Sequence, residues 1–281
     1  MLSGAEEGGA VDASIALLLV CGFVGELLDS SLGMLYGTVL SPVLIVSGYD
    51  PLVVVPSILL TQAAGGLIAA FMHHRLHNVD FRVDRGALKG RDSRYWIQAF
   101  RHAATQDFKV TLVVAFLGVM ASVFAAFVAT SIPKTALNTY IGVLVLLMGA
   151  LLVSRKRFTF SWRRMFAIGA ISAFNKGLSG GGFGPIVTAG QMISGREGAK
   201  SVGSTTLAEA PICIAGFFTY VLMNGIKSWS LVIFLGIGAI AGALVGPLLT
   251  ARFRSERRIR VSLGLLVIVL GLWTLAKTWL L

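Results

Sequence analysis

Long uninterrupted apolar runs separated by basic loops leave this chain one solvent for most of its length. Residues 52–72, 110–132, 136–153, 202–223, 229–251 and 261–280 form such runs. A helix of about 20 residues, rising about 1.5 Å per residue, spans a hydrocarbon core of about 30 Å. An all-α polytopic membrane protein is therefore expected. Of the 281 residues, 56% are hydrophobic and only 13% charged, whereas soluble domains carry about 25% charged residues. A water-soluble fold of this size has nowhere to hide so much apolar side chain.

The net charge of +11 sits in loops between the runs. No continuous basic surface with interleaved aromatics is present, which argues against a nucleic-acid partner. Residues 73–109 carry eight Lys and Arg, residues 154–164 carry five, and residues 252–260 carry five. The positive-inside rule makes these three segments cytoplasmic. Glu6, Glu7 and Asp12 stand where a cleavable signal would be basic, so an acidic N-terminal tail on the non-cytoplasmic side is expected. Cys21 and Cys213 both lie within apolar runs. They read as core residues, with no disulfide framework, metal spacing or cofactor implied.

Two regions, 13–47 and 165–193, each hold an apolar stretch, a glycine-rich break and a second arm too short to cross alone. With the basic loops inside, region 165–193 has to leave the cytoplasm and return to it. It reads as a hairpin dipping into the membrane. On this map 20 of the 24 Lys and Arg are inside, with Lys134, Lys227 and Lys277 outside and Lys176 within the membrane.

An offset of 147 residues superposes the halves of the chain. It aligns Gly33 with Gly180, Gly37 with Gly184, Ser47 and Gly48 with Ser194 and Gly195, and Val55 with Val202. Ser57 then falls on Ser204, Leu60 on Leu207, Ala63 on Ala210 and Phe71 on Phe218, nine identities over 39 ungapped positions. Each half reads as one broken hairpin followed by three spans. Three is odd, so the second copy is expected upside down relative to the first. The expected units are residues 1–153 (hairpin 13–47, spans 52–72, 110–132 and 136–153, cytoplasmic loop 73–109) and residues 154–281 (hairpin 165–193, spans 202–223, 229–251 and 261–280). Both termini then lie outside. Inverted repeats whose broken helices meet near the midplane are the architecture of many secondary transporters.

The candidate site lies at the two breaks. Gly33 and Gly37 mark the first, Gly180, Gly181, Gly182 and Gly184 the second. Glycine clusters at a helix break let a ligand approach the backbone, and the arm that follows aims an N-terminus with free N–H groups at the break. Pro185 suits the first turn of that arm. Ser30, Ser31, Tyr36, Asn175 and Ser179 add polar groups, as do Ser57, Ser204 and Thr205 if their spans line the cavity. Glu26, Asp29, Lys176 and Glu209 are ionisable residues at membrane depth, which default to function. Asp29 and Lys176 occupy offset-equivalent positions, as do Gln62 and Glu209. Two roles stand open for Lys176: an ion pair with Asp29 that locks the hairpins, or an anion ligand. Glu26, Asp29 and Glu209 are the candidates for proton coupling.

His73, His74, His77 and His102 all fall in the first basic loop region. With no cysteine or clear carboxylate partner, interfacial anchoring is the expectation for them. Tyr95, Trp96, Ile97 and Phe100 suit a short amphipathic helix on the membrane surface.

At these residues the chain resembles the TauE/SafE family of sulfite and organosulfur-anion exporters, over nearly its whole length. The resemblance is strongest at residues 177–185 (GLSGGGFGP), then at 195–206 (GREGAKSVGSTT), with residues 77–81 (HNVDF) similar to the close of a family segment. The chain departs from the family at 33–37 (GMLYG), where a richer glycine run is usual. The resemblance implies transport of sulfite, a sulfonate or a similar small sulfur-containing anion. Residue patterns alone imply a carrier with anion-friendly tips, the lipid bilayer as its solvent, and room for a homo-oligomer. An anion channel of the same architecture is the nearest alternative. An intramembrane enzyme would need a nucleophile and base, and no histidine lies at membrane depth on this map.

Overall fold

The computed structural model describes residues 3–33, 35–84, 103–153, 162–193, 196–250 and 256–280. Among these residues the chain forms ten helices: α1 (Ser3–Leu32), α2 (Tyr36–Val46), α3 (Pro51–Arg75), α4 (Gln106–Ser131), α5 (Lys134–Val153), α6 (Trp162–Ser179), α7 (Phe183–Ile193), α8 (Gly198–Asn224), α9 (Trp229–Thr250) and α10 (Glu256–Trp279). An antiparallel bridge, Val83 with Ala104, draws together the neck of the long basic loop. The expected surface helix around Tyr95–Phe100 and His102 lie outside the described residues.

Among the described residues, six stretches are long and apolar enough to cross a membrane: Ile15–Leu32, Pro51–Arg75, Gln106–Ser131, Lys134–Val153, Gly198–Asn224 and Trp229–Thr250. One difference from the sequence expectation matters. α1 runs 30 residues without a break, so the first arm of the 13–47 hairpin begins ten residues early and is itself long enough to span. Nothing between Ser3 and Leu32 stops a helix, since no proline interrupts it. The run expected at 261–280 falls on α10, Glu256–Trp279.

Local chemistry sets the helix ends. The Asp50 carboxylate accepts from the Leu52 N–H at 2.9 Å and Pro51 takes the first turn, which together start α3. Thr105 caps α4 through the Phe108 N–H at 3.3 Å, and Pro133 follows its end. Gly225, with φ 68°, stops α8.

The side chains are sorted opposite to those of a soluble protein. Leu112, Phe116, Met120, Phe124 and Phe127 form an exposed stripe along α4, and Ile233, Ile237, Ile240, Leu244 and Leu248 form another along α9. Meanwhile Glu26, Asp29, Lys176 and Glu209 are buried. Apolar stripes facing outward at helical spacing suit lipid, and the polar centre needs internal partners.

Packing pairs the helices across the chain. α1 packs most extensively on α9 and α6 on α4, while α3 lies against α9 and α8 against α4. α3 also meets α8, and α5 meets α10. Glycines permit the closest of these approaches: a Cβ added at Gly238 or Gly242 on α9 would come within 2.2 or 2.5 Å of the α1 carbonyls of Leu19 and Phe23. The offset of 147 reappears in the helix bounds, carrying Tyr36–Val46 onto Phe183–Ile193, the end of α1 onto the end of α6, and Pro51 onto Gly198.

Candidate functional site

α1 and α6 both stop where the backbone turns left-handed, at Gly33 (φ 74°) and Gly180 (φ 76°). Two residues on, Leu35 (φ 117°) and Gly182 (φ 81°) do so again. This conformation is costless for glycine and strained for leucine. Burial of the Leu35 side chain, 2% exposed, holds it there. The two breaks touch backbone to backbone. A Cβ on Gly37 would lie 1.6 Å from the Gly180 carbonyl oxygen, and one on Gly181 would lie 2.8 Å from the Thr38 nitrogen. The Gly182 N–H donates to Thr38 Oγ1 at 3.1 Å, and Thr188 Oγ1 donates to the Gly33 carbonyl at 2.8 Å. Each short arm thus sends a hydroxyl to the opposite break.

Beside the breaks runs a chain of buried polar groups. Lys176, 1% exposed, forms an ion pair with Glu209 Oε1 at 2.8 Å and also donates to Gln62 Oε1. Gln62 Nε2 donates to Asp29 Oδ2 at 3.0 Å, and Asp29 Oδ1 accepts the Tyr36 N–H at 3.1 Å. Of the two roles open for Lys176, the direct ion pair with Asp29 is not formed. Gln62 stands between them, because a carboxamide has an acceptor for the ammonium and a donor for the carboxylate. Tyr36 donates its hydroxyl to Thr61 Oγ1 at 2.8 Å.

The last carbonyls of a broken helix lack intrahelical donors. His73 Nε2 lies 2.8 Å from the Ser30 carbonyl oxygen, and Tyr220 donates its hydroxyl to the Gly177 carbonyl at 3.0 Å. His73 is wholly buried, which corrects its expected place at the interface. It occupies the last turn of α3 and points inward, with Asn78 Nδ2 3.1 Å from its other ring nitrogen. His74 stacks on Phe81 with ring centroids 5.8 Å apart.

The remaining expected residues divide by what they bond. Ser179 Oγ donates to the Asn175 carbonyl at 2.7 Å and accepts the Gly181 N–H at 3.1 Å, shaping the second break. Asn175 accepts from the Tyr140 hydroxyl. Ser30, Ser31 and Ser57 bond carbonyls of their own helices, those of Glu26, Leu28 and Val53. Gly184 is buried in the first turn of α7. Ser204 and Thr205 face a different group: Ser204 Oγ accepts from Arg196 at 3.2 Å, and Thr205 Oγ1 accepts from Gln191 at 2.9 Å. Arg196 also pairs with Asp107 at the start of α4. Burial lowers the pKa of the Arg196 guanidinium, against the pull of Asp107. Among the described residues, no group of three or more His, Cys, Asp or Glu is arranged to hold a metal ion.

Thr38, Thr188, Gln62 and Tyr140 were not singled out as site residues in the sequence. A signal existed for Gln62, the offset partner of Glu209. Polar residues in the short arms were the signal for Thr38 and Thr188.

Helices that bury their charges, turn apolar faces outward and break in pairs at a shared polar centre define a polytopic membrane protein of the transporter class. The family model described as Sulfite exporter TauE/SafE matches residues 95–274, and the chain belongs to that family. It is similar to the Probable membrane transporter protein YtnM of Bacillus subtilis (strain 168), 25% identical over 281 residues that cover 93% of this chain and 84% of that protein. No solved structure matches the chain.

Proposed function

We propose that the protein is a secondary carrier that moves a small oxyanion, sulfite or an organosulfonate, across the cytoplasmic membrane by alternating access. The observation that carries this reading is the buried Lys176 ammonium beside the touching breaks, neutralised by Glu209 at 2.8 Å. An ammonium has three donors. Gln62 and Glu209 occupy two of them. The entering anion takes the third and then displaces the Glu209 carboxylate. The starts of α2 and α7 supply further N–H groups, as helix N-termini do for anions. That of Tyr36 already holds the Asp29 carboxylate. The family description supports a sulfur oxyanion as the cargo.

Residues 1–153 and 154–281 are the two inverted halves in this reading, with both termini on the non-cytoplasmic side. Support comes from the nine identities at an offset of 147, the matched helix bounds and the paired φ values of Gly33 and Gly180. Rocking of one half against the other about the tips exposes Lys176 to each side in turn.

Thermal-shift binding of sulfite, methanesulfonate, chloride and phosphate to purified wild type and Lys176→Ala tests the reading. Sulfur anions should stabilise the wild type and not the variant. Equal stabilisation of both moves the site away from Lys176, and none in either sinks the substrate class. Saturable counterflow in proteoliposomes, in place of an ohmic current, separates the carrier from a channel.

A further inference from the structure

Glu26 stands apart from the polar chain just described. It is fully buried on α1, and neither oxygen of its carboxyl group has a hydrogen-bond partner. Every other acid at this centre is held: Asp29 by Gln62 and the Tyr36 N–H, Glu209 by Lys176. The space for Glu26 is made by glycines on neighbouring helices. A Cβ at Gly65 on α3 would lie 2.9 Å from the Glu26 carboxyl carbon, and one at Gly242 on α9 would lie 3.1 Å from the Glu26 Cβ.

The offset of 147 shows what packing alone requires there. It carries Glu26 to Ala173 and Gly65 to Ile212. Those two residues meet at Gly118 on α4, where an added Cβ would lie 2.2 Å from Ile212 Cδ1 and 3.1 Å from Ala173 Cβ. An alanine and an isoleucine fill one place, a glutamate and a glycine the other. The apolar pair does the packing without burying a polar group. A buried carboxylate with no donor is strongly disfavoured, whereas the neutral acid costs much less. The carboxyl at position 26 is thus explained by its proton and not by its volume.

We infer that Glu26 is the proton-carrying acid of the transport cycle, binding one proton together with the anion so that both cross in the same direction. This rests on the proposed anion site at Lys176. The charged and titratable groups facing it are Asp29 on its own helix, Tyr36 on α2, Lys176 on α6, and Glu209 and Cys213 on α8. On α3, Gln62 and Gly65 are neutral, and His73 is engaged with Ser30. α9 has no titratable side chain. With Asp29 and Glu209 already present, an arriving anion meets one positive charge, and a third carboxylate would repel it. Protonated Glu26 admits the anion. When the site opens to the other side, the Glu26 O–H bond breaks, the proton passes to water and the anion leaves. After the empty carrier turns back, the carboxylate takes a proton from water on the side of uptake before the next anion binds.

The test uses the full chain in proteoliposomes with Glu26→Gln, a neutral isostere of the protonated acid. Wild type should accumulate sulfite and methanesulfonate against a gradient when the outside is acidic. Methanesulfonate does not titrate in this range, which separates carrier coupling from protonation of the probe. Glu26→Gln should lose that accumulation while still exchanging labelled anion for unlabelled. Gradient-driven accumulation retained by Glu26→Gln overturns the inference. Exchange of neither anion by wild type overturns the anion reading, and the coupling with it. Infrared spectra of wild type need no flux and no folded variant. A protonated-carboxyl band that disappears as the pH rises is expected, and its absence throughout overturns the inference.

Discussion

His73 places Nε2 2.8 Å from the Ser30 carbonyl, and Tyr220, at the offset-equivalent position on α8, donates its hydroxyl to the Gly177 carbonyl at 3.0 Å. The residue types differ and the task is the same. Each break leaves a carbonyl that the next turn of helix would have bonded, and the span that follows reaches back with a side-chain donor. Tyr220→Phe removes that donor and keeps the ring. The unpaired Gly177 carbonyl should cost about 1–2 kcal/mol, since single hydrogen bonds in membrane proteins are modest and buried unpaired acceptors are not. Reversible unfolding in mixed micelles measures it. No change would mean that the carbonyl finds another donor.

The contact between Gly37 and Gly180 makes a sharper prediction. A methyl group at Gly37 would lie 1.6 Å from a backbone oxygen, which cannot step aside as a side chain can. Gly37→Ala should therefore separate the breaks, giving protein that does not fold or that melts far below wild type. Gly66→Ala is the control. Its nearest neighbour would be the Thr206 carbonyl oxygen at 3.6 Å, an ordinary contact, so this variant should melt no lower than wild type. Thermal unfolding of both in detergent decides it. Equal melting of the two variants would show that the breaks are not held as tightly as the backbone contact requires.

The spans, the two breaks and the charged residues at depth were legible because each follows from composition over a window. What stayed hidden depended on direction. Counting charge puts the backbone of His73 at the edge of a basic loop, yet its side chain turns inward to Ser30. Opposite charges at offset positions leave a direct pair between Asp29 and Lys176 open, but charge has no geometry, and Gln62 fits between them. Ser57, Ser204 and Thr205 belong to the site only if their spans line a cavity. Ser57 and Thr205 donate to carbonyls one turn back in their own helices, as hydroxyls in membrane helices tend to do. Ser204 receives Arg196.

Lys176 and Glu209 form a pair whose members are costly alone. Removing one leaves an uncompensated charge out of water, which typically costs about 3–5 kcal/mol, while removing both is often close to neutral. Lys176→Met should thus destabilise the protein severely, and Lys176→Met with Glu209→Leu should recover most of the loss. Neither variant should bind sulfite. Unfolding free energies around the double-mutant cycle measure the coupling. Simple additivity of the two substitutions would mean that Glu209 is held by something other than the ammonium.

Asp50 offers a test by pH away from the spans. Partial burial raises the pKa of its carboxyl, but Lys134 and the Leu52 N–H outweigh that and hold it below its ordinary value. A group depressed by folding contributes stability that is present above its unfolded pKa, about 3.9 for aspartate, and is lost as the pH falls through the lower folded value. Asp50→Asn keeps a side chain able to cap α3 and removes only the charge. Wild type should therefore melt above Asp50→Asn at neutral pH, and the two curves should converge as the pH drops from about 5 towards about 3. Melting curves that stay parallel across that window would assign Asp50 to capping alone, with Lys134 contributing nothing.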